Sequence, residues 1–333
     1  MATLSRTLII GAGGFIGSYV TEACLRAGRQ TFLLVRPSSV ENSSVKSFKD
    51  MGAVIISGTM TDQTLMEKIL KEHVIECVIS LVGGGSIIDQ MELVKAVKAV
   101  GHVKRFLPSE FGHDIDRAEP VEPGLSMYNE KRRVRRFVEE CGVPYTYICC
   151  NSIAAWPYHN NTHPSQVPPP LDRFVIYGDG NVKAYFIAGT DIGKLTERTL
   201  DDDQSLNKTV HFRPESNVLS LNEMADLWEK TIGRTLPRVT MTEDNLLTAA
   251  RELEVPMSVV AAITHDIFIN GCQIYDLDKD DDADVCSLYP NVSFKSVGQC
   301  FHEFLVTHRV DLQEQSNGNE GSACHHEALV YAS

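Results

Sequence analysis

The sequence predicts an α/β protein: a doubly wound parallel sheet of the Rossmann type, with a smaller interleaved α+β domain. Three observations carry this reading. Residues 6 to 36 run strand, glycine loop, helix, strand; buried strands and amphipathic helices then alternate as far as Asn151; and 333 residues, 43% of them apolar, can bury a core of that size. Each β-to-α-to-β return needs a crossover, so the strands are parallel and helices cover both faces.

The first unit is RTLII, GAGGFIG, a helix to about Ala27, and TFLLVR. Gly11, Gly14 and Gly17 keep a GxxGxxG spacing, with Gly13 added and Phe15 and Ile16 between. Glycines permit the tight turn and let backbone approach a pyrophosphate, while the helix N-terminus favours negative charge. These residues are the candidate dinucleotide cradle. The second strand ends in Arg36, with Ser38 beyond it, where an NAD site usually has Asp or Glu. A guanidinium forks onto a 2′-phosphate, and a serine hydroxyl can add to it, so NADPH is preferred over NADH. Lys46 either lends a second charge or is solvated.

Next come the strand AVIISGTM, a helix opened at Thr61 or Asp62, and the buried strand IECVISLV. That strand runs into Gly83, Gly84 and Gly85, at its carboxyl end, where a cofactor would pass; Gly83 is the candidate contact. A helix from about Ile88 to Val100, the strand KRFLP, a helix around Lys131 and the strand YTYICC complete the alternation.

Lys131 falls on an apolar stripe with Met127, Val134 and Val138, while Arg132, Arg133, Arg135 and Arg136 are assigned to the solvent face. Desolvation lowers a lysine pKa toward the range of a general base. The alternative is a snorkelling or salt-bridged lysine. Short-chain dehydrogenases often place a tyrosine four residues before the lysine. Here that residue is Met127, and Tyr128 stands three before, as a substrate contact or as simple packing. If the protein is a reductase, the lysine itself, not a tyrosine–lysine pair, must move the proton. His113 follows KRFLP and SEFG, at the ligand-binding edge of the sheet, where it can deliver a proton directly or through water.

Beyond Asn151, AAWPYHNNTHPSQVPPPLD reads as a substrate-site loop, followed by the short strands FVIYG, VKAYFI and TVHFR mixed with helices. The division is 1–155 for NADPH binding, 156–310 mostly for substrate, and 311–333 a disordered tail. LDKDDDAD fails the EF-hand pattern, because counting from Asp276 the sixth position is Asp281 and the twelfth Ser287; it is taken as a solvated acidic loop. Cys324, His325 and His326 have no cage around them, and no metal is expected.

A net charge of −13 argues against nucleic acid or an anionic membrane as partner. No stretch reaches the roughly 20 apolar residues of a membrane span, and the N-terminus lacks a signal peptide, so a cytoplasmic location is expected. Nine cysteines without a CxxC pair read as reduced. The sequons at Asn160, Asn207 and Asn291 are then inert.

RFLPSEFGHD at 105–114, MYNEKRRVRR at 127–136, ICCN at 148–151 and THD at 264–266 carry a resemblance. From about Arg6 to Arg309 the chain resembles the plant NADPH-dependent reductases of aromatic secondary metabolism, the isoflavone-reductase-like branch of atypical short-chain dehydrogenases, and among them those acting on leucoanthocyanidins. Gly13 departs from their more usual Thr. The resemblance implies reduction of a flavan-3,4-diol such as leucocyanidin to a 2,3-trans flavan-3-ol such as catechin. Lys131 would take the 7-hydroxyl proton, His113 would help the 4-hydroxyl leave, and hydride from NADPH would reduce the quinone methide. Tyr128 would bind substrate, and Lys131 would also touch the cofactor. Partners would be the flavonoid and, beyond it, pathway enzymes. The other readings are a sister reductase of isoflavones, phenylcoumaran ethers or pinoresinol, and a non-catalytic NADP(H) sensor.

Overall fold

The computed structural model describes residues 4–154, 172–278 and 280–307. Residues 155–171 and those beyond 307 lie outside it, and with them most of the expected substrate-site loop and the expected disordered tail.

The first half follows the predicted alternation: β1 (Thr7–Ile10), α1 (Phe15–Arg26), β2 (Thr31–Val35), α2 (Ser43–Asp50), β3 (Val54–Ser57), α3 (Gln63–Glu72), β4 (Cys77–Ser80), α4 (Gln90–Val100), β5 (Arg105–Leu107), α5 (Gly124–Glu140) and β6 (Thr146–Cys149). The parallel sheet has the order β3-β2-β1-β4-β5. Its inner strands are mostly apolar because both faces are covered, with polar residues such as Thr7, Thr31 and Ser80 at strand ends and Arg105 opening β5. The edge strand β3 is partly exposed. Leu8 and Ile10 join Met66, Ile69, Leu93 and Val97 from α3 and α4, whereas Ile9 joins Val20 and Cys24 of α1. Asp62 caps α3 by accepting from Leu65 N at 2.9 Å.

The chain then continues as β7 (Ser152–Ile153), β8 (Phe174–Tyr177), β9 (Lys183–Ile187), α6 (Gly189–Thr199), β10 (Lys208–His211), β11 (Val218–Ser220), α7 (Leu221–Ile232), β12 (Arg238–Met241), α8 (Glu243–Glu252), α9 (Met257–Phe268), β13 (Asp282–Asp284), α10 (Val285–Leu288) and α11 (Val297–Thr307). A bridge between Phe106 and Tyr145 sets β6 beside β5, and β6, β10 and β13 pair in parallel. Strands from after residue 155 therefore extend the first sheet, and α6 packs on α1 through Gly193, where a Cβ would lie 2.3 Å from the Tyr19 carbonyl oxygen. A separate core gathers Phe174, Phe186, Trp228 and Phe301 beneath α7, α9 and α11. Trp228 is fully buried, so truncating it to alanine would cost about 3–5 kcal/mol.

Two readings of the sequence are corrected. The acidic stretch is solvated only in part: Asp278, Asp280 and Asp281 are exposed, but Asp282–Asp284 forms β13, which pairs with β10, and the Asp282 side chain is buried against Arg117 at 2.7 Å and His211 Nε2 at 2.8 Å. Arg135 is not on the solvent face. It is 1% exposed, and partners within the fold meet its charge. The eight described cysteines are free thiols.

Candidate active site

The glycine loop leaves β1 and enters α1 with the geometry its spacing predicts. Gly11 has φ +85°, and a Cβ there would stand 2.3 Å from the Leu81 carbonyl oxygen; one at Gly17 would stand 2.1 Å from Gly11 O. Gly13 and Gly14 are exposed, and Phe15 and Ile16 open the helix. The first turn of α1 has no acidic side chain and no side-chain cap, so its N–H groups are left for an anion. Arg36 and Ser38 are exposed just past β2, where Arg36 ion-pairs with no described residue, while Lys46 is tied to Glu41 at 2.9 Å. Gly83 and Gly85 are exposed with open space around the missing Cβ, so the protein's own packing does not demand glycine there. This cradle fits a dinucleotide pyrophosphate.

At the same sheet edge, the loop after β5 carries His113 and α5 carries Tyr128 and Lys131. Lys131 Nζ donates to the carbonyl oxygen of Glu110 at 2.8 Å. The lysine as a whole is part-exposed, but burial around its ammonium lowers its pKa, opposed by the charge of Glu110. Tyr128 is buried, and its hydroxyl lies 2.5 Å from His113 Nε2. Burial, with Lys131 adding to it, brings the His113 pKa down to about 3, so the imidazole is neutral at pH 7. Desolvation drives the Tyr128 phenol well up. The structure thus brings together Lys131, His113 and Tyr128, and shows Tyr128 as an inward group rather than helix-surface packing.

Residues the sequence reading did not assign to the site hold this loop in place. Phe111 N donates to Ile148 O at 3.0 Å, and Asn151 N donates to Gly112 O at 2.9 Å. Phe111 and Asn151 sit at φ +41° and +58°, left-handed conformations rare outside glycine, and Asn151 Nδ2 is anchored on Phe212 O at 2.9 Å. The ICCN segment is therefore the backbone clamp of the His113 loop. Arg135 bonds Glu110 at 2.9 Å and Asp114 at 2.8 Å, and its guanidinium lies 4.7 Å over the Tyr147 ring. One buried cation thereby fixes both ends of the segment bearing His113. Gln90 Oε1 accepts from Ser109 N at 2.8 Å, tying the start of the loop to α4. The THD segment lies on α9: Asp266 is buried, and His265 Nε2 lies 3.0 Å from Glu243. Nothing in the contacts explains Thr264. The only signal of these supports was a pair of side chains four apart on α5, Lys131 and Arg135, sharing one inward face.

Comparison with known proteins adds three findings. The profile of the NmrA-like family matches residues 3–302. The chain is 58% identical over 91% of its length, and 80% of the relative's, to a leucoanthocyanidin reductase of Desmodium uncinatum, but 39% identical to a phenylcoumaran benzylic ether reductase of Ginkgo biloba over 90% of this chain and 99% of that one. A solved binary complex of leucoanthocyanidin reductase with NADPH from Vitis vinifera superposes with a TM-score of 0.86 at 61% identity, covering 90% of this chain and 99% of that one.

Proposed function

The chain belongs to the NmrA-like family, and from that premise we propose that it is an NADPH-dependent oxidoreductase with the activity of the leucoanthocyanidin reductases. It reduces a flavan-3,4-diol of the leucocyanidin type to a 2,3-trans flavan-3-ol of the catechin type, in flavonoid and proanthocyanidin biosynthesis. No described helix is long and apolar enough to cross a membrane, and we place the enzyme in the cytoplasm, with other enzymes of the pathway as its neighbours.

The observation that carries the mechanism is the desolvated Lys131 beside the neutral His113–Tyr128 pair. Hydroxide is a poor leaving group, so the diol must lose water before it is reduced. Lys131 takes the 7-hydroxyl proton, and the electron pair released through the A ring expels the 4-hydroxyl. His113 is no standing cation, but a neutral imidazole accepts at one nitrogen while donating from the other. It therefore conducts a proton, taken up from solvent, to the departing oxygen, which leaves as water, with Tyr128 holding the ring and contacting the substrate. NADPH, when bound, supplies hydride to the electrophilic ring carbon of the quinone methide. Lys131 then returns its proton to the phenol.

The glycine cradle from Gly11 to Gly17 would hold the pyrophosphate, Arg36 and Ser38 the 2′-phosphate, Gly83 would leave room alongside, and Lys131 would touch both cofactor and substrate. The greater identity to the leucoanthocyanidin enzyme than to the benzylic ether reductase supports the diol as substrate. A panel of leucocyanidin, an isoflavone, a phenylcoumaran ether and pinoresinol with NADPH tests it: turnover of leucocyanidin is expected to exceed the others, and preference for another member would contradict the assignment.

A further inference from the structure

One side-chain cluster joins His113 to two residues that have no part in the reduction. A ligand-capable atom from each of His113, Asp266 and Cys272 lies within 4.8 Å of the other two. Asp266 is 2% exposed; Oδ1 accepts from Asn270 Nδ2 at 3.1 Å and the Cys272 thiol faces the carboxyl, but Oδ2 is buried with no well-formed hydrogen bond among the described residues. A buried carboxylate oxygen left so is costly unless a proton donor or a cation meets it. A second trio, Asp114, His211 and Asp282, has similar spacing, but Arg135 already meets Asp114 at 2.8 Å and Arg117 meets Asp282 at 2.7 Å. No guanidinium or ammonium of the described residues is paired with Asp266.

We propose that His113, Asp266 and Cys272 form a site for a thiol-selecting divalent cation of the Zn²⁺ class, whose binding captures His113 and stops the reduction. The regulatory half rests on the role of His113 proposed above; the binding half does not. A nitrogen, an oxygen and a sulfur ligand are the set such ions take. A dication, a carboxylate, a thiolate and a neutral imidazole sum to zero charge, which suits burial. Burial already holds His113 unprotonated, so its lone pair is available. Cys272 is part-exposed, which opens a way in, and its thiol would release its proton to the solvent as the metal–sulfur bond forms. The Tyr128 hydroxyl lies 2.5 Å from His113 Nε2, so a cation on that nitrogen displaces it.

The test titrates Zn²⁺ into the full-length protein by calorimetry, with neither NADPH nor a chelating catechol present, and separately follows NADPH oxidation after preincubation with Zn²⁺. Cys272→Ser removes the soft ligand, Asp266→Asn removes the carboxylate independently, and a Cys324→Ser/His325→Ala/His326→Ala variant removes the donors of the tail. One Zn²⁺ per chain is expected, weakened at least about tenfold by Cys272→Ser and by Asp266→Asn and unchanged in the tail variant, with Cys272→Ser still active in the presence of Zn²⁺. Unchanged binding in Cys272→Ser, or binding lost only in the tail variant, would overturn the site. Binding at this site without loss of turnover would overturn the regulation. Because calorimetry needs no substrate, failure of the diol assignment would leave the binding result readable.

Discussion

The hydroxyl of Tyr128 sits 2.5 Å from Nε2 of His113, with Lys131 one turn further along the same helix. Helix α5 thus presents the proposed base and the partner of the proposed proton conductor from a single rigid element. The proposed mechanism divides the labour between them: the lysine, with its pKa lowered, would exchange the phenolic proton, and the neutral histidine would act as a relay.

Arg36 is the residue proposed to select the nucleotide. Arg36→Ala should weaken NADPH binding by about 10- to 100-fold, the loss of a charge-assisted contact, and leave NADH almost unaffected. Fluorescence titration with both nucleotides checks this, and equal losses would remove Arg36 from the 2′-phosphate.

Arg135 is a structural cation. Arg135→Met takes the guanidinium from buried Glu110 and leaves Asp114 only the longer contact to Arg117 at 3.7 Å, and should destabilise the fold by about 3–5 kcal/mol. Arg136→Ala, at an exposed neighbour, should stay within about 0.5 kcal/mol. Denaturant melts of the two variants separate buried from solvated charge on one helix; equal small losses would mean the carboxylates are not committed to Arg135.

His113 links stability to pH. Its folded pKa of about 3 lies below the unfolded value of 6.5, so between them the unfolded chain binds the extra proton. The stability this neutral histidine supplies is fully present above pH 6.5 and is lost as pH falls toward 3. Unfolding free energy measured between pH 7 and 4 should therefore fall less steeply in His113→Gln than in the parent. The difference in slope should approach about 1.4 kcal/mol per pH unit, and parallel slopes would place His113 in contact with solvent.

Most of the sheet was legible because its signals are local. Apolar runs bounded by turns, a glycine loop between strand and helix, and the stripe through Lys131 each need only a short window of sequence. What escaped depends on contacts between distant segments. Arg135 looks like one of four equivalent arginines until Glu110 and Asp114 fold back onto it, and Asp282 looks solvated until β13 pairs with β10. Asn151 gives no hint in sequence that its left-handed backbone closes the loop of His113. His113 itself could be placed at the sheet edge, but its neutrality follows from burial that only the assembled fold supplies.

Chiral analysis of the product formed from NADPH and 2,3-trans-3,4-cis-leucocyanidin by the purified protein and by Lys131→Met tests the central claim most directly. Catechin is expected from the parent, with the rate in the variant lower by about 10²- to 10⁴-fold while NADPH still binds. Near-parental turnover in Lys131→Met, with the cofactor bound as before, would contradict the assignment of Lys131 as the base.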